Sequence, residues 1–80
     1  MISELNTSRK VVGAKQVKRA LRDRCAARLY MAIDADPRLL QPLVQEAVRQ
    51  QVPVEQVSSM KELGAACGIA VGAAVAILLK

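Results

Sequence analysis

The sequence predicts a single α/β domain in which helices pack against a small sheet. Short apolar segments of strand length alternate with amphipathic segments of helix length, in units of about ten residues. The chain has 80 residues, enough for one domain with a core of just sufficient size. Hydrophobic residues make up 52% of it, but Tyr30 is the one aromatic residue. The core must therefore consist mainly of Ala, Val, Leu and Ile.

The first part of the chain is predicted to form a helix, a strand and a second helix. Residues 3–9 are polar and suit a short opening helix, and residues 11–12 form a brief apolar strand that Gly13 ends. From residue 14 to about residue 24 the pattern is helical, because apolar and basic side chains separate onto opposite sides of a helical wheel. The apolar side holds Ala14, Val17, Ala20 and Leu21, and the basic side holds Lys15, Lys18, Arg19 and Arg22.

The middle of the chain is predicted to be a strand followed by a helix. Residues 28–33 are a short apolar run of strand length. Asp36 and Pro37 then indicate a helix start, with Asp36 as the N-cap and Pro37 at the first helical position. The apolar spacing continues to about Gln50, and Pro42 is expected to restart or kink this helix after its first turn.

The last part is predicted to form two strands around a short helix. Residues 52–57 alternate like a half-buried strand, with Pro53 confined to its start or to a sheet edge. Ser59 and Glu62 form a capping box for a short helix that Gly68 closes. Residues 73–79 are a final apolar strand.

Positive charge is concentrated in one stretch of the sequence. Eight of the twelve basic residues fall between Arg9 and Arg28, and only Asp23 opposes them, so this stretch carries +7. The remaining residues include four basic and six acidic ones and carry −2. Such a cationic face favours nucleic acid or an anionic membrane as a partner. The alternative is a solvated helix face that serves solubility.

The residue types present argue against an enzyme or a metal site. The chain has no His, and Cys25 and Cys67 stand 42 positions apart, which excludes a Cys/His metal site and a CxxC redox pair. We expect both cysteines to be reduced in a cytosolic protein without a signal peptide. There is no phosphate-binding loop and no nucleophile beside a base, and Asp34 and Asp36 are interpreted as turn and cap residues. We therefore expect no catalytic activity, no cofactor, no metal and no small-molecule substrate.

A membrane-spanning helix is the main alternative for the last third of the chain. Residues 63–79 carry no charge, and their three glycines have the GxxxGxxxG spacing of packed transmembrane helices. However, seventeen residues is the lower limit for spanning, nine of them are Ala or Gly, and an aromatic belt is absent. We favour the non-membrane interpretation, in which these glycines serve close packing, a helix end and a turn.

The mode of nucleic-acid binding is limited by the near absence of aromatic residues. RNA-recognition motifs and OB folds stack bases on aromatic rings, which this chain lacks. A helix presented by its amino end remains possible, since Gly13 permits a sharp turn and the free N–H groups attract phosphate. Lys15, Gln16 and Arg19 would project from its first turns. Gln16 could read a base edge, although an ordinary surface Gln is the simpler interpretation.

Three segments together resemble the kink-turn RNA-binding ribosomal proteins of the L7Ae/L30e superfamily, and its small bacterial YbxF/YlxQ-type members in particular. The segments are residues 13–21 (GAKQVKRAL), 34–37 (DADP) and 63–74 (LGAACGIAVGAA). The resemblance covers nearly the whole chain, in order and at matching spacing. It implies that residues 1–80 are a single RNA-binding domain with a three-layer α/β/α sandwich around a small mixed four-stranded sheet.

The resemblance also implies a mechanism, because family members bind RNA kink-turns, which are bent internal loops beside tandem sheared G·A pairs. The helix after the glycine enters the widened major groove. Lys15 and Gln16 stand where archaeal and eukaryotic relatives have Asn-Glu, and Arg19 stands where they have Lys. We expect an RNA-binding protein, ribosome- or riboswitch-associated, that acts as a cytoplasmic monomer without a membrane partner. The implied RNA-binding residues are Gly13, Lys15, Gln16, Lys18, Arg19, Arg22, Asp36, Leu40, Ile69, Ala70, Val71 and Gly72.

The segment 69–72 matches the family's apolar loop that covers an extruded base, with Asp36 and Leu40 lining the pocket. Met60 stands where some relatives carry a basic residue. Core packing is the alternative role for Ile69 and Val71. Since glycines bracket the segment and it precedes the last strand, we predict that at least Val71 is exposed.

Overall fold

The computed structural model describes residues 9–80 and contains four strands and three helices in this region. They are β1 (Lys10–Val12), α1 (Ala14–Arg22), β2 (Ala26–Ala32), α2 (Pro37–Arg49), β3 (Val54–Val57), α3 (Met60–Ala66) and β4 (Val75–Leu79). The sheet order is β1-β4-β2-β3, with β2 and β3 parallel and β4 antiparallel to both of its neighbours. The sheet is thus mixed and four-stranded, and the predicted α/β/α architecture is confirmed. The predicted helix over residues 3–9 lies outside the described residues, apart from Arg9.

All three helices begin at the same edge of the sheet. The pairing makes β1, β2 and β3 run in one direction and β4 in the other. Each helix follows the carboxyl end of one of these three strands, and β4 begins at the same edge. The helices α1 and α2 contact each other in one layer, while α3 packs on the sheet in the other. We call this edge, with the amino ends of the helices and residues 67–74, the loop edge.

The core is built from aliphatic side chains around one tyrosine. Val17 and Leu21 of α1 are fully or almost fully buried, as are Tyr30 and Ile77 in the central strands and Leu63 in α3. Among residues 9–80, no buried side-chain nitrogen or oxygen lacks a hydrogen-bond partner. Small residues such as alanine occupy many of the other buried positions, which lets the layers approach closely in a chain with little aromatic volume.

The helix α2 runs without interruption through Pro42, so the predicted restart after the first turn is wrong. A proline here lacks the N–H that would bond to the carbonyl of Arg38 four residues earlier. Both residues are exposed, and water can satisfy that carbonyl. The start of α2 follows the prediction, because the Asp36 side chain accepts a 2.9 Å hydrogen bond from the N–H of Arg38.

Other element boundaries differ from the predictions by one to two residues. The helix α1 ends at Arg22 because Arg24 adopts a positive φ of 56°, and β2 then begins at Ala26. Pro53 lies just before β3, an edge strand, as predicted. Ser59 caps α3 by accepting a 3.0 Å hydrogen bond from the N–H of Glu62.

Residues 63–79 do not form one helix. They comprise the end of α3, the loop and β4. A Cβ at Gly64 would lie 2.1 Å from the Val71 carbonyl oxygen, so this glycine allows the loop to cross α3 closely. Within residues 9–80, no helix combines the length and the apolar character needed to cross a membrane.

Candidate nucleic-acid interface

The amino end of α1 is fixed to the start of β4. Gly13 is the N-cap residue of α1 with φ 100° and ψ 150°, a region that is essentially restricted to glycine. Its N–H donates a 3.0 Å hydrogen bond to the carbonyl of Val75, and its carbonyl accepts from Val17 at 2.9 Å. Within the described residues, no side chain caps α1, and its first turn contains no acidic residue. The first N–H groups of α1 therefore form a positively polarised end that attracts anions.

The basic side chains of α1 form an exposed stripe, as predicted. Val17, Ala20 and Leu21 face the core. Gln16 is exposed beside the stripe, at the amino end. We use the name basic stripe for Lys15, Lys18, Arg19 and Arg22, all of which are exposed. Because the hydrophobic side of this helix packs against the core, its basic side faces solvent.

The loop between α3 and β4 presents apolar side chains to solvent. Val71 is 70% exposed and Ile69 is 37% exposed, so neither is a core residue. Ala70 and Gly72 are exposed as well. The prediction that Val71 lies on an exposed loop is confirmed.

This loop is held at both ends by backbone hydrogen bonds. The N–H of Ile69 donates to the Gly64 carbonyl at 3.1 Å, and the N–H of Ala73 donates to the Met60 carbonyl at 3.0 Å. Both ends of the loop that carries these exposed residues are therefore fixed to α3. This lowers the conformational entropy that the loop loses when a partner binds.

Asp34 joins the β2–α2 turn to α3, a role that sequence reasoning missed. Its carboxylate accepts a 2.8 Å hydrogen bond from the N–H of Met60, the first residue of α3. Because the Met60 carbonyl accepts from Ala73, one chain of hydrogen bonds connects three segments of the loop edge. The partners Asp34 and Met60 are 26 positions apart, and no local sequence signal indicates such a contact.

Asp36 and Leu40 occupy different environments. Asp36 is exposed, and its carboxylate contacts the Arg38 guanidinium at 3.1 Å. Hydrogen bonds from the Arg38 side chain and backbone lower the pKa of Asp36, which keeps it anionic. Leu40 is only 5% exposed and belongs to the core. Asp36 is thus exposed at the start of α2, whereas Leu40 is almost completely buried.

Two further apolar residues are exposed at the loop edge. Ile33 directly follows β2, and Met60 begins α3. Both are large hydrophobic residues with exposed side chains, as are Ile69 and Val71. Ile33 is the last residue of the apolar run 28–33, which predicts a strand, and this pattern does not indicate that its side chain is exposed. An edge that combines exposed apolar side chains with a polarised helix end is suited to a ligand that has both anionic and apolar parts.

Acidic and thiol groups do not assemble into a metal site in the described part of the chain. No group of three His, Cys, Asp or Glu residues within residues 9–80 is placed to hold an ion. Both cysteines are free thiols. Burial raises the pKa of Cys67, so its thiol stays protonated and unreactive.

The chain is similar to a family of ribosomal and RNA-associated proteins. The family model described as "Ribosomal protein L7Ae/L30e/S12e/Gadd45 family" matches residues 2–80. An RNA-binding protein of Geobacillus sp. (strain WCH70) is 42% identical over 76 residues, which cover 95% of this chain and 93% of the relative. The RNA-binding protein YbxF of Geobacillus stearothermophilus is 41% identical over 76 residues, with the same coverage of both chains.

Solved structures show the same fold at lower sequence identity. A 15.5 kD RNA-binding protein of Giardia lamblia superposes with a TM-score of 0.91 at 24% identity, covering 99% of this chain and 70% of that protein. A Bacillus halodurans protein of unknown function gives a TM-score of 0.87 at 22% identity, covering 99% and 83% of the two chains.

Proposed function

The chain belongs to the ribosomal protein L7Ae/L30e/S12e/Gadd45 family, and from this premise and the geometry of the loop edge we propose that it binds structured RNA by recognising and stabilising kink-turns. The observation that carries the proposal is the hydrogen bond between Gly13 and Val75, which links the polarised amino end of α1 to the strand that follows the apolar loop. A kink-turn offers matching chemistry, since it exposes purine edges, phosphates and unstacked bases at one bend.

In this proposal the amino end of α1 enters the widened major groove. The N–H groups of its first turn and the basic stripe contact phosphates, which supplies affinity but little sequence information. Gln16 and Lys15 lie in the first turn and reach the edges of the sheared G·A pairs, where a neutral amide can both donate and accept hydrogen bonds. The curated relatives that are named RNA-binding proteins support this assignment of the partner.

The loop 69–72 covers an extruded base in the same proposal. Val71 and Ile69 supply apolar contact in place of the aromatic rings that other RNA-binding folds use. Asp36 lies at the start of α2, where its carboxylate can accept a hydrogen bond from a base amino group. We further propose that the protein acts as a cytoplasmic monomer, associated with the ribosome or with structured mRNA leaders, and that it performs no catalysis.

A pair of matched RNAs tests the proposal. One RNA contains a kink-turn with tandem G·A pairs, and the other has the same stems with those pairs replaced by Watson–Crick pairs. We expect the kink-turn to bind at least about tenfold more tightly at moderate salt. Each of the two side chains that hydrogen-bond a base edge should contribute roughly 1–3 kcal/mol of discrimination. Equal affinity for the two RNAs would show general RNA binding without kink-turn recognition.

A further inference from the structure

The two parallel helices α1 and α2 enclose a long open groove of about 830 Å³ on the outer face of their layer. Among residues 9–80, eight charged side chains line it, and seven of these are basic. Four of these are the basic stripe, Arg24 follows α1, and Arg38 and Arg49 belong to α2. No sequence motif predicted a role for Arg38 or Arg49. We call this feature the α1–α2 groove.

The groove is built into the fold and does not depend on flexible side chains alone. The side-chain amide of Gln50 donates a 2.7 Å hydrogen bond to the Leu21 carbonyl and another 2.7 Å bond to Glu46. The bond to Leu21 fixes the carboxyl ends of the two helices relative to each other, and the bond to Glu46 within α2 holds the Gln50 side chain in place. At the opposite end, both helices begin at the loop edge, so the groove starts at the candidate interface and continues away from it.

The α1–α2 groove also has apolar surface, which a purely solvated face does not need. Leu39 is 40% exposed, and Pro42 and Leu43 line the groove beside it. A strand of nucleic acid has the complementary pattern, with phosphates along its backbone and less polar sugar and base faces between them. A groove lined by both cationic and apolar side chains thus fits a polyanion with apolar faces better than a simple ion.

The ion pairs along the groove do not block such a partner. Arg38 pairs with Asp36, and Arg49 pairs with Glu46, but both arginines are largely exposed. Exposed pairs of this kind contribute little to stability in water, and a phosphate can replace or share the carboxylate as an acceptor. Glu46 is the one acidic lining residue in the described part of the chain, so these residues give the groove a positive excess.

We infer that the α1–α2 groove binds the sugar–phosphate backbone of an RNA strand that leaves the kink-turn, so that the interface extends from the loop edge along the length of α2. This inference rests on the proposed function and adds a second contact region to it. The 13 residues of α2 are about 20 Å long at 1.5 Å per residue. A groove of this length can contact several successive phosphates along one strand of an A-form RNA stem.

The test compares kink-turn RNAs whose stems differ in length. Each stem in turn is extended by about six base pairs from a minimal kink-turn. We expect one of the two extensions to increase the affinity of the wild-type protein on the order of tenfold at low salt. Hydroxyl-radical footprinting of the wild-type complex should show protected riboses along that extended strand.

Single-charge variants locate the contact. Arg49→Gln, at the far end of the groove, should remove most of the gain from the extended stem and lower the slope of log affinity against log salt by about one. Lys80→Gln removes the same charge from an exposed residue that does not line the groove, and it should retain the gain. Thermal unfolding of each variant checks that the fold is intact.

The outcomes for the groove and for kink-turn recognition are separable. If neither extension improves binding, no stem riboses are protected, and Arg49→Gln behaves like Lys80→Gln, the inference is overturned and the groove serves another partner, such as an acidic protein surface. If the gain from the long stem depends on Arg49 while the minimal kink-turn and its Watson–Crick-paired counterpart bind with equal affinity, the groove inference stands and kink-turn recognition fails.

Discussion

The backbone N–H of Gly13 donates a 3.0 Å hydrogen bond to the carbonyl of Val75, so the start of α1 is tied to the start of β4. This bond places the polarised end of a basic helix beside the strand that ends the apolar loop. The two halves of the proposed interface are therefore linked by a backbone contact.

Replacement of Gly13 should strain the backbone without causing a steric clash within the protein. Apart from its chain neighbours, no atom of residues 9–80 lies within 4 Å of a Cβ built at this position, but the φ of 100° is strained for any L side chain. We expect Gly13→Ala to lower the free energy of unfolding by about 1–3 kcal/mol. Lys15→Ala, which changes an exposed helical residue, is the control and should have little effect on thermal unfolding. Equal stability of the two variants would contradict the assigned backbone conformation.

Gly13→Val should also reduce RNA affinity more than the single side-chain changes in α1 do. The open space in front of this residue is where the RNA backbone is proposed to approach, and a branched side chain would fill it. Binding titrations below the melting temperature of the variant measure this effect. An affinity that falls only in proportion to the unfolded fraction would argue against close RNA approach at Gly13.

Gln16 and Lys18 should differ in what they recognise. If Gln16 reads a base edge, Gln16→Ala should cost roughly 1–3 kcal/mol on a kink-turn and little on a plain duplex. Lys18→Ala removes an exposed charge of the basic stripe and should weaken both RNAs alike, with a lower salt slope. Both variants are measured on both RNAs. The proposed reading role of Gln16 is wrong if its variant weakens the two RNAs equally.

Val71 should affect binding without affecting stability. Because its side chain is 70% exposed, Val71→Ala should change the free energy of unfolding by less than about 0.5 kcal/mol. Kink-turn affinity should fall by roughly 1–3 kcal/mol, the contribution of one covered base. Leu63→Ala is the contrasting variant, since Leu63 is fully buried and its loss should cost about 2–5 kcal/mol of stability. A large loss of stability in Val71→Ala, with proportionate loss of binding, would contradict the loop assignment.

The Asp34 carboxylate should stabilise the loop edge by accepting one hydrogen bond from the N–H of Met60. Asp34→Ala removes the acceptor for the first N–H of α3 and should cost about 1 kcal/mol, as the loss of a helix cap does. Asp34→Asn keeps a carbonyl acceptor of the same size and should restore most of that stability. Hydrogen exchange at the Met60 amide reports the bond directly. Unchanged exchange in Asp34→Ala would show that the bond is absent in solution.

The sequence allowed prediction of those features that depend on neighbouring residues. The separation of apolar and basic residues in α1 and the caps of α2 and α3 are local, and they follow the predictions. The exposure of Val71 was also predictable, because glycines bracket its segment. Family resemblance supplied the roles proposed for Gln16 and the loop, which the residues alone left open.

Features that depend on distant residues could not be predicted in this way. The bond between Asp34 and Met60 joins residues 26 positions apart, and the groove residues Arg38 and Arg49 face α1 only because of the sheet order. The predicted restart of the helix at Pro42 was also wrong, since an exposed proline in the first half of a helix loses one hydrogen bond that water can replace.

Recognition and stabilisation of a kink-turn by this protein should change the angle between the two stems of the RNA, and this angle can be measured. A kink-turn RNA with a donor and an acceptor fluorophore on its stem ends is titrated with the protein in buffer without divalent ions. We expect energy transfer to rise and saturate as the protein binds. Gln16→Ala should shift this rise to higher protein concentration, and the RNA with replaced G·A pairs should show no rise. Binding of the kink-turn RNA without any increase in energy transfer would contradict the claim.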